Sequence, residues 1–200
     1  MPFPAKGLLL FFINPTYISY EMVDIDEIFD RFYSDNPQLL ATVLTHSQCV
    51  AEKALECASR RKIDIDKEFV RSAAMLHDIG VIKCNAPSIF CYGDKPYICH
   101  GIEGRAMLDS LGLHRHALVC ERHTGSGLSC NDIIRQNLPL PHRDMLPISI
   151  EEKLICYADK FFSKSGNLTK EKSLEKVTEQ MRSFGEDSIK RFMEIHILFG

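Results

Sequence analysis

The stretch Met75-Leu76-His77-Asp78-Ile79-Gly80 places two potential metal ligands side by side at the end of an apolar helical pattern. Histidine and aspartate bind divalent transition metals and leave coordination positions open for water. Four further candidate ligands lie before and after this pair, namely His46, His100, His123 and Asp159. The sequence therefore predicts a metal site assembled from distant segments, and this donor set favours a metal-dependent hydrolase.

Apolar residues recur at helical spacing through most of the chain, which predicts an all-α fold. Asp66 suits the N-cap of a helix that we expect to end at Gly80. Ser149 and Glu152 form a capping-box pattern for a helix expected to reach about Lys164. No segment of the sequence alternates convincingly with a period of two, so we predict a single-domain helical bundle.

The predicted helices place four of the candidate ligands on apolar stripes: His46, His77, His123 and Asp159. Each lies three or four residues from apolar neighbours, so each side chain is expected to point inward. Burying a carboxylate or an imidazole alone is costly, and convergence on a cation removes that cost. A single inward histidine is more often a hydrogen-bonded core residue, so the prediction depends on the joint order of all the ligands.

Composition bears on the class of protein and its compartment. A formal net charge of −3, from 24 basic and 27 acidic residues, gives no broad electrostatic basis for nucleic-acid binding. The eight cysteines are scattered without a Cys-x-x-Cys pair, which indicates reduced thiols and a cytoplasmic protein. Three of them share one predicted loop, where a zinc or redox role is the alternative: Cys84, Cys91 and Cys99.

The N-terminal apolar run at residues 8–13 is too short for a membrane span or a signal-peptide core, and we predict no membrane association. Helical patterning begins only at Asp24, so residues 1–21 are expected to be a disordered or non-native extension. Met22 is then the expected natural start. The predicted domain occupies residues 22–200, with its core at about 38–165.

The ordered ligand series resembles the HD-domain superfamily of metal-dependent phosphohydrolases, in its small stand-alone form. The resemblance covers about residues 38–165 and includes His77-Asp78-Ile79-Gly80, a sequence that many members carry. Two further segments resemble small stand-alone members: His100-Gly101-Ile102-Glu103-Gly104 and Glu121-Arg122-His123-Thr124-Gly125. The resemblance implies an all-α HD-domain bundle.

The family resemblance also implies two metal sites: a first ion held by His46, His77, Asp78 and Asp159, and a second held by Asp78, His100 and His123. Two such ions share a hydroxide and clamp the phosphoryl oxygens during attack. In the mononuclear alternative, His100 and His123 are acid–base or phosphate-contacting groups. The nitrogen and oxygen donors argue against a thiolate-preferring metal and leave Fe, Mn, Zn, Ni, Co and Mg as candidates.

Phosphate esters need positive charge and hydrogen-bond donors for their non-bridging oxygens. The candidate substrate-binding residues are Lys83, Arg105, Arg122, Thr124, Lys160 and Lys164. Asp78 and Lys160 are the candidate catalytic groups, Lys160 because it adjoins a ligand. Many two-metal relatives carry a lysine directly after His-Asp-Ile-Gly, where this chain has Val81.

The resemblance implies hydrolysis of phosphate mono- or diesters, with a nucleotide or a related metabolite as the small phosphorylated substrate. Two alternatives stay open. One is a non-catalytic HD domain that binds metal and nucleotide for regulation. The other is a diiron oxygenase with a related ligand set. The sequence carries no signal for the oligomeric state.

Overall fold

The computed structural model of the chain describes residues 23–200, which fold into nine α-helices and one very short hairpin. The helices are α1 (Ile25–Tyr33), α2 (Pro37–Arg61), α3 (Lys67–Leu76), α4 (His100–Asp109), α5 (His114–Arg122), α6 (Cys130–Arg135), α7 (Ile150–Asp159), α8 (Leu174–Ser183) and α9 (Glu186–Phe199). The antiparallel strands β1 (Asn85–Ala86) and β2 (Cys91–Tyr92) form the hairpin. The predicted all-α fold is confirmed.

The predictions for residues 1–21 and for a natural start at Met22 lie outside the described residues. Within residues 23–200, no helix is both long enough and apolar enough to cross a membrane.

The longest helix, α2, is the centre of the bundle and packs against α3 and α7. It begins where the side chain of Asn36 accepts a hydrogen bond from the backbone N–H of Leu39, with Pro37 in the first turn. It ends at Lys62, which adopts a left-handed conformation with φ of 53°. A helix fixed at both ends holds its buried face in one register, and His46 lies on that face.

The apolar core has two large clusters, and the candidate ligands lie where they adjoin. Along α2, Val43 belongs to one cluster and Val50 to the other, with His46 between them. Along α3, Ala74 belongs to one cluster and Leu76 to the other, and His77 follows directly. The fold therefore backs the ligands with packed side chains from both clusters.

Two helix ends differ from the predictions. The helix expected to end at Gly80 ends at Leu76, and a 3₁₀ turn follows at Ile79–Lys83. The reason is tertiary, because the buried Tyr33 hydroxyl donates to the carbonyl of Ile79 at 2.8 Å and accepts from the N–H of Ile82 at 3.3 Å. Those backbone groups therefore bond to α1 instead of continuing a helix.

The helix expected to reach Lys164 ends at Asp159. Beyond it, the N–H groups of Phe161 and Phe162 bond to carbonyls three residues back, which tightens the last turn. The carbonyl of Phe161 then accepts from the N–H of Lys172 at 2.8 Å, so the chain folds back on itself. Lys164 consequently lies in the connection between α7 and α8, which leads back to the site.

His116 on α5 is a buried histidine outside the ligand series, and it makes stability depend on pH. Burial and then the neighbouring Arg115 lower its pKa to about 4, and its Nε2 bonds to the Ser72 hydroxyl at 2.8 Å. In the unfolded chain this histidine takes up a proton near pH 6.5, whereas in the folded chain it stays neutral down to about pH 4. The free energy of unfolding therefore falls as the pH drops from about 6.5 to 4.

His116→Gln should make the protein less sensitive to acid, because it removes the contribution of this histidine to that loss, on the order of 2–3 kcal/mol. Denaturant unfolding at several pH values measures this, and parallel curves for the two proteins would contradict it.

Candidate metal centre

Six buried side chains from five parts of the fold converge on one point. They form two groups whose candidate ligand atoms lie within 4.8 Å of one another: His46, His77, Asp78 and Asp159, and Asp78, His100 and His123. His46 comes from the middle of α2 and Asp159 from the last residue of α7. The others lie at helix ends, so the geometry of the site depends on where each helix stops.

Asp78 belongs to both groups because its two carboxylate oxygens face in different directions. Oδ2 lies 3.3 Å from His46 Nε2 and 3.1 Å from His77 Nε2. Oδ1 lies 3.5 Å from His100 Nε2 and 3.4 Å from His123 Nε2. A carboxylate placed in this way offers one oxygen to each of two neighbouring cations.

Backbone carbonyls fix the orientation of three of the imidazole rings. Nδ1 donates to the carbonyl three residues earlier in each case: His77 to Ala74 at 2.6 Å, His100 to Tyr97 at 2.7 Å and His123 to Cys120 at 2.8 Å. The last carbonyls of a helix lack intrahelical partners, so a histidine that follows α3 or α5 finds an acceptor there. With its proton on Nδ1, each ring presents the lone pair of Nε2 to the centre of the site.

Both carboxylates are held in the anionic form that metal ligation requires. Burial alone would raise the pKa of Asp78, but His77 and Lys164 more than offset this and hold it well below its usual range. Burial acts on Asp159 in the same way, and Lys160 and Lys164 outweigh it. Each carboxylate therefore enters the site with its negative charge.

The imidazoles differ in the direction in which their pKa values are shifted. Burial lowers the pKa of His46 to about 4 and that of His100 to about 3, so both rings are neutral near pH 7. Burial also favours neutral His77, but Asp78 and Asp159 overcome it and raise its pKa to about 9. A cation bound between these residues would take the place of that proton.

The site fits one or two divalent cations. His77 Nε2 and both oxygens of Asp78 are fully buried without a well-aligned hydrogen bond among residues 23–200, and such atoms are costly unless a further partner satisfies them. The donors are imidazole nitrogens and carboxylate oxygens, which suit first-row transition metals. The three cysteines near the hairpin form no comparable group in the described part of the chain, and Cys91 donates to backbone carbonyls instead.

A cavity of about 500 Å³ opens onto the centre, and three lysines line it beside His100, His123 and Asp159. Lys164 Nζ lies 2.6 Å from Asp78 Oδ2. Lys160 Nζ lies 2.6 Å from Asp159 Oδ2 and donates to the carbonyl of His123 at 2.9 Å. Thr124 also lines this cavity. The predicted residues Thr124, Lys160 and Lys164 are thus beside the ligands, where an anion would enter.

Three other predicted substrate-binding residues do not line this cavity. Lys83 is exposed and does not line the cavity. Arg105 forms an ion pair with the buried Glu121, and Arg122 bonds to both oxygens of Glu152, at 2.9 and 3.1 Å. A buried carboxylate needs a paired cation, so these two arginines brace α4, α5 and α7.

Two residues near the site escaped the sequence-based prediction. Lys172 lines the cavity and donates to the carbonyl of Lys160 at 2.9 Å, although it lies twelve residues further along the chain. Tyr33 holds the turn that carries Asp78. The clustering of lysines between α7 and α8 is a sequence signal that could have indicated Lys172. The sequence carries no comparable signal for Tyr33.

Comparisons with known proteins show what the chain is similar to. A family model described as HD domain matches residues 43–163. An uncharacterized protein of Methanocaldococcus jannaschii is 36% identical over 121 residues, which are 58% of this chain and 64% of that protein. No solved structure gives a significant match.

Two relatives carry the name tRNA (cytidine(56)-2'-O)-methyltransferase. The one from Picrophilus torridus is 33% identical over 122 residues, which are 60% of this chain and 31% of that protein. The one from Thermoplasma volcanium is 28% identical over 156 residues, which are 77% of this chain and 40% of that protein. The chain thus spans less than two thirds of the length of each of these three relatives.

Proposed function

The chain belongs to the HD-domain family, and from this we propose that it hydrolyses phosphate mono- or diesters with the help of divalent metal ions. The family consists mostly of metal-dependent phosphohydrolases. Small phosphorylated metabolites, nucleotides among them, are the proposed substrates.

The observation that carries the proposal is the division of Asp78 between two sets of histidines. One oxygen faces His46 and His77, and the other faces His100 and His123, all within 3.5 Å. A purely structural carboxylate would gain little from His46 and His100, because burial keeps both rings neutral near pH 7 and neither then carries a charge to pair with it. A bridging ligand between two cations gains from all four.

When bound, two divalent ions would supply an activated water and positive charge for the phosphoryl oxygens. Lys164 supports this arrangement as one of the cations that line the cavity. Its Nζ lies 2.6 Å from Asp78 Oδ2, and a metal ion bound at that oxygen would leave it available to a non-bridging oxygen of the ester. Lys160, predicted as a catalytic group, bonds to Asp159 and to the carbonyl of His123, which supports a role in positioning those two ligands. Thr124 offers a hydroxyl at the cavity wall.

The names of the two methyltransferase relatives describe much longer proteins, so methyl transfer is not carried over to this chain. They do give a reason to include phosphate esters derived from RNA among the substrates tested. The donor set of the centre supports the proposal of hydrolysis, whichever ester enters the cavity.

The test couples metal analysis of the purified chain to a panel of phosphomonoesters and phosphodiesters, with a chelator as the control. We expect divalent metal in the purified protein, phosphate release from at least one class of ester, and loss of that release after chelation. Metal and ester binding without turnover would favour the regulatory alternative. Oxygen consumption by the reduced iron form with an organic substrate would favour the oxygenase alternative. Either result would contradict the proposal.

His123→Ala separates the two-metal arrangement from the mononuclear one. The variant is expected to lower the metal content from about two equivalents per chain to about one, because His123 faces only the Oδ1 side of Asp78. Elemental analysis after equilibration with a defined metal measures this. His116→Gln is the matched control, a buried histidine outside the centre. Unchanged stoichiometry in His123→Ala would favour a single ion.

A further inference from the structure

A second cavity of about 280 Å³ lies beside the metal cavity and shares a wall with it. The residues that line both are Ile98, Thr124, Gly125 and Phe184. Thr124 follows the ligand His123 directly in the chain. A molecule whose phosphoryl group sits at the metal centre therefore has this side chamber within its immediate reach.

The side chamber differs from the metal cavity in character. Its lining surface is mainly apolar, and four large apolar side chains contribute to it: Ile98, Leu128, Leu138 and Phe184. Its two charged residues neutralise each other, since Arg191 Nη2 lies 2.6 Å from Asp132 Oδ2. The metal cavity, by contrast, carries three lysines. An anionic group is favoured in the metal cavity and an uncharged apolar group in the side chamber.

Arg191 also offers the chamber a hydrogen-bond donor that is not used within residues 23–200. Its Nη2 bonds to Asp132 and to the carbonyl of Gly127. Its Nε is buried and has no hydrogen-bond partner within residues 23–200. An acceptor atom on a ligand in the chamber would satisfy this group and remove the cost of leaving it unpaired.

One side of the chamber comes from residues beyond the part of the chain that the HD family model matches. Phe184, Ser188 and Arg191 line it from the end of α8 and from α9, beyond the matched residues 43–163. The C-terminal helices thus complete a chamber whose other lining residues lie within the matched region.

We infer that the side chamber binds the leaving group of the ester, and that this group is a single aromatic or heterocyclic ring system. The inference rests on the proposed function, because it assumes that the phosphoryl group is held at the metal centre. The volume of about 280 Å³ is close to the lower limit of about 300–1,000 Å³ for pockets that enclose a drug-sized ligand. It therefore suits one ring system with an acceptor atom near Arg191 Nε.

The test compares 1-naphthyl phosphate with methyl phosphate on the metal-loaded full chain. In both cases water attacks phosphorus, and the hydroxy compound and inorganic phosphate are released. Because the two leaving groups differ in acidity as well as in size, each ester is compared only with itself, between the variant and the wild type. Leu138→Trp should fill the chamber and lower kcat/KM for 1-naphthyl phosphate by about tenfold, the factor that about 1.4 kcal/mol of lost apolar burial produces. The value for methyl phosphate should change by less than about twofold.

Ile134→Trp is the matched control, since Ile134 is an exposed residue of the neighbouring α6 that does not line the chamber. The chain contains no tryptophan, so the emission of each variant reports the surroundings of its new side chain alone. We expect blue-shifted emission in Leu138→Trp, solvent-like emission in Ile134→Trp and unchanged kinetics in the control. Should Leu138→Trp fail to fold, Gln136→Trp replaces it, because Gln136 is exposed and lines the same chamber.

Equal losses for both esters, or no loss for either in a folded variant with blue-shifted emission, would overturn the inference and leave the proposed function standing. If the wild-type chain hydrolyses neither ester, the proposed function loses its support, and direct binding then decides about the chamber. Fluorescence titration with 1-naphthol should show saturable binding to the wild type and to Ile134→Trp, and at least about tenfold weaker binding to Leu138→Trp. Equal binding to all three proteins would refute the chamber as a ring site.

Discussion

Asp78→Ala is expected to abolish metal binding at both sites and to lower kcat/KM by at least about a thousandfold, the effect of losing about 4 kcal/mol of transition-state stabilisation. Among the described residues, Asp78 alone belongs to both groups of candidate ligands. Its removal leaves each ion short of an anionic ligand and leaves the pair without a bridge. Elemental analysis and ester hydrolysis by the same preparation measure the two losses together.

Thermal unfolding gives an independent measure of the same change. A cation that binds only the folded chain raises the stability of the wild type in proportion to the logarithm of its concentration, and the variant should show no such rise. Asp94→Ala is the control, because the Asp94 side chain is 84% exposed and lies outside both ligand groups. An Asp78→Ala protein that retained metal and activity would overturn the assignment of the centre.

The parts of the site that could be predicted from sequence are those that depend on local spacing. His46 lies inside α2 and Asp159 at the end of α7, and in both cases the periodicity of apolar neighbours places the side chain inward. The order of the six ligands then led to the HD-domain family, which the match to residues 43–163 confirms. The roles of the individual ligands stay predictions.

The parts that could not be predicted depend on partners far away in the chain. The end of α3 is set by the Tyr33 hydroxyl, which bonds to backbone groups 46 and 49 residues further on. The side chains of Arg105 and Arg122 are engaged by buried glutamates, although their positions beside the ligand segments favoured a substrate contact. The spacing of residues along one helix indicates which face is buried. It does not indicate which charged residue of a neighbouring helix will pair with a given side chain.

Gly80→Ala is expected to have the largest effect on stability among substitutions near the centre. A Cβ at Gly80 would lie 2.1 Å from the carbonyl oxygen of His100 and 2.2 Å from the backbone nitrogen of Gly104. Both atoms belong to the backbone of α4, so no rotamer change relieves the overlap, and the 3₁₀ turn must move away from α4. We expect a loss of more than about 3 kcal/mol in the free energy of unfolding, the upper end of overpacking effects, measured by denaturant titration.

The same displacement should reach the metal centre, because Asp78 lies two residues before Gly80 and His100 begins α4. Their facing atoms, Oδ1 and Nε2, are 3.5 Å apart, and a shift of an ångström would separate them beyond joint ligation. Folded Gly80→Ala should therefore bind about one metal equivalent instead of two.

Gly104→Ala tests the other side of this contact with a smaller overlap, since its Cβ would lie 3.1 Å from the nitrogen of Gly80. Gly166→Ala is the control for losing a glycine as such, because its φ of +74° costs about 1–2 kcal/mol but nothing lies within 4 Å of the new Cβ. If Gly80→Ala were no more destabilising than Gly166→Ala, the close approach of the turn to α4 would not be what holds Asp78 beside His100.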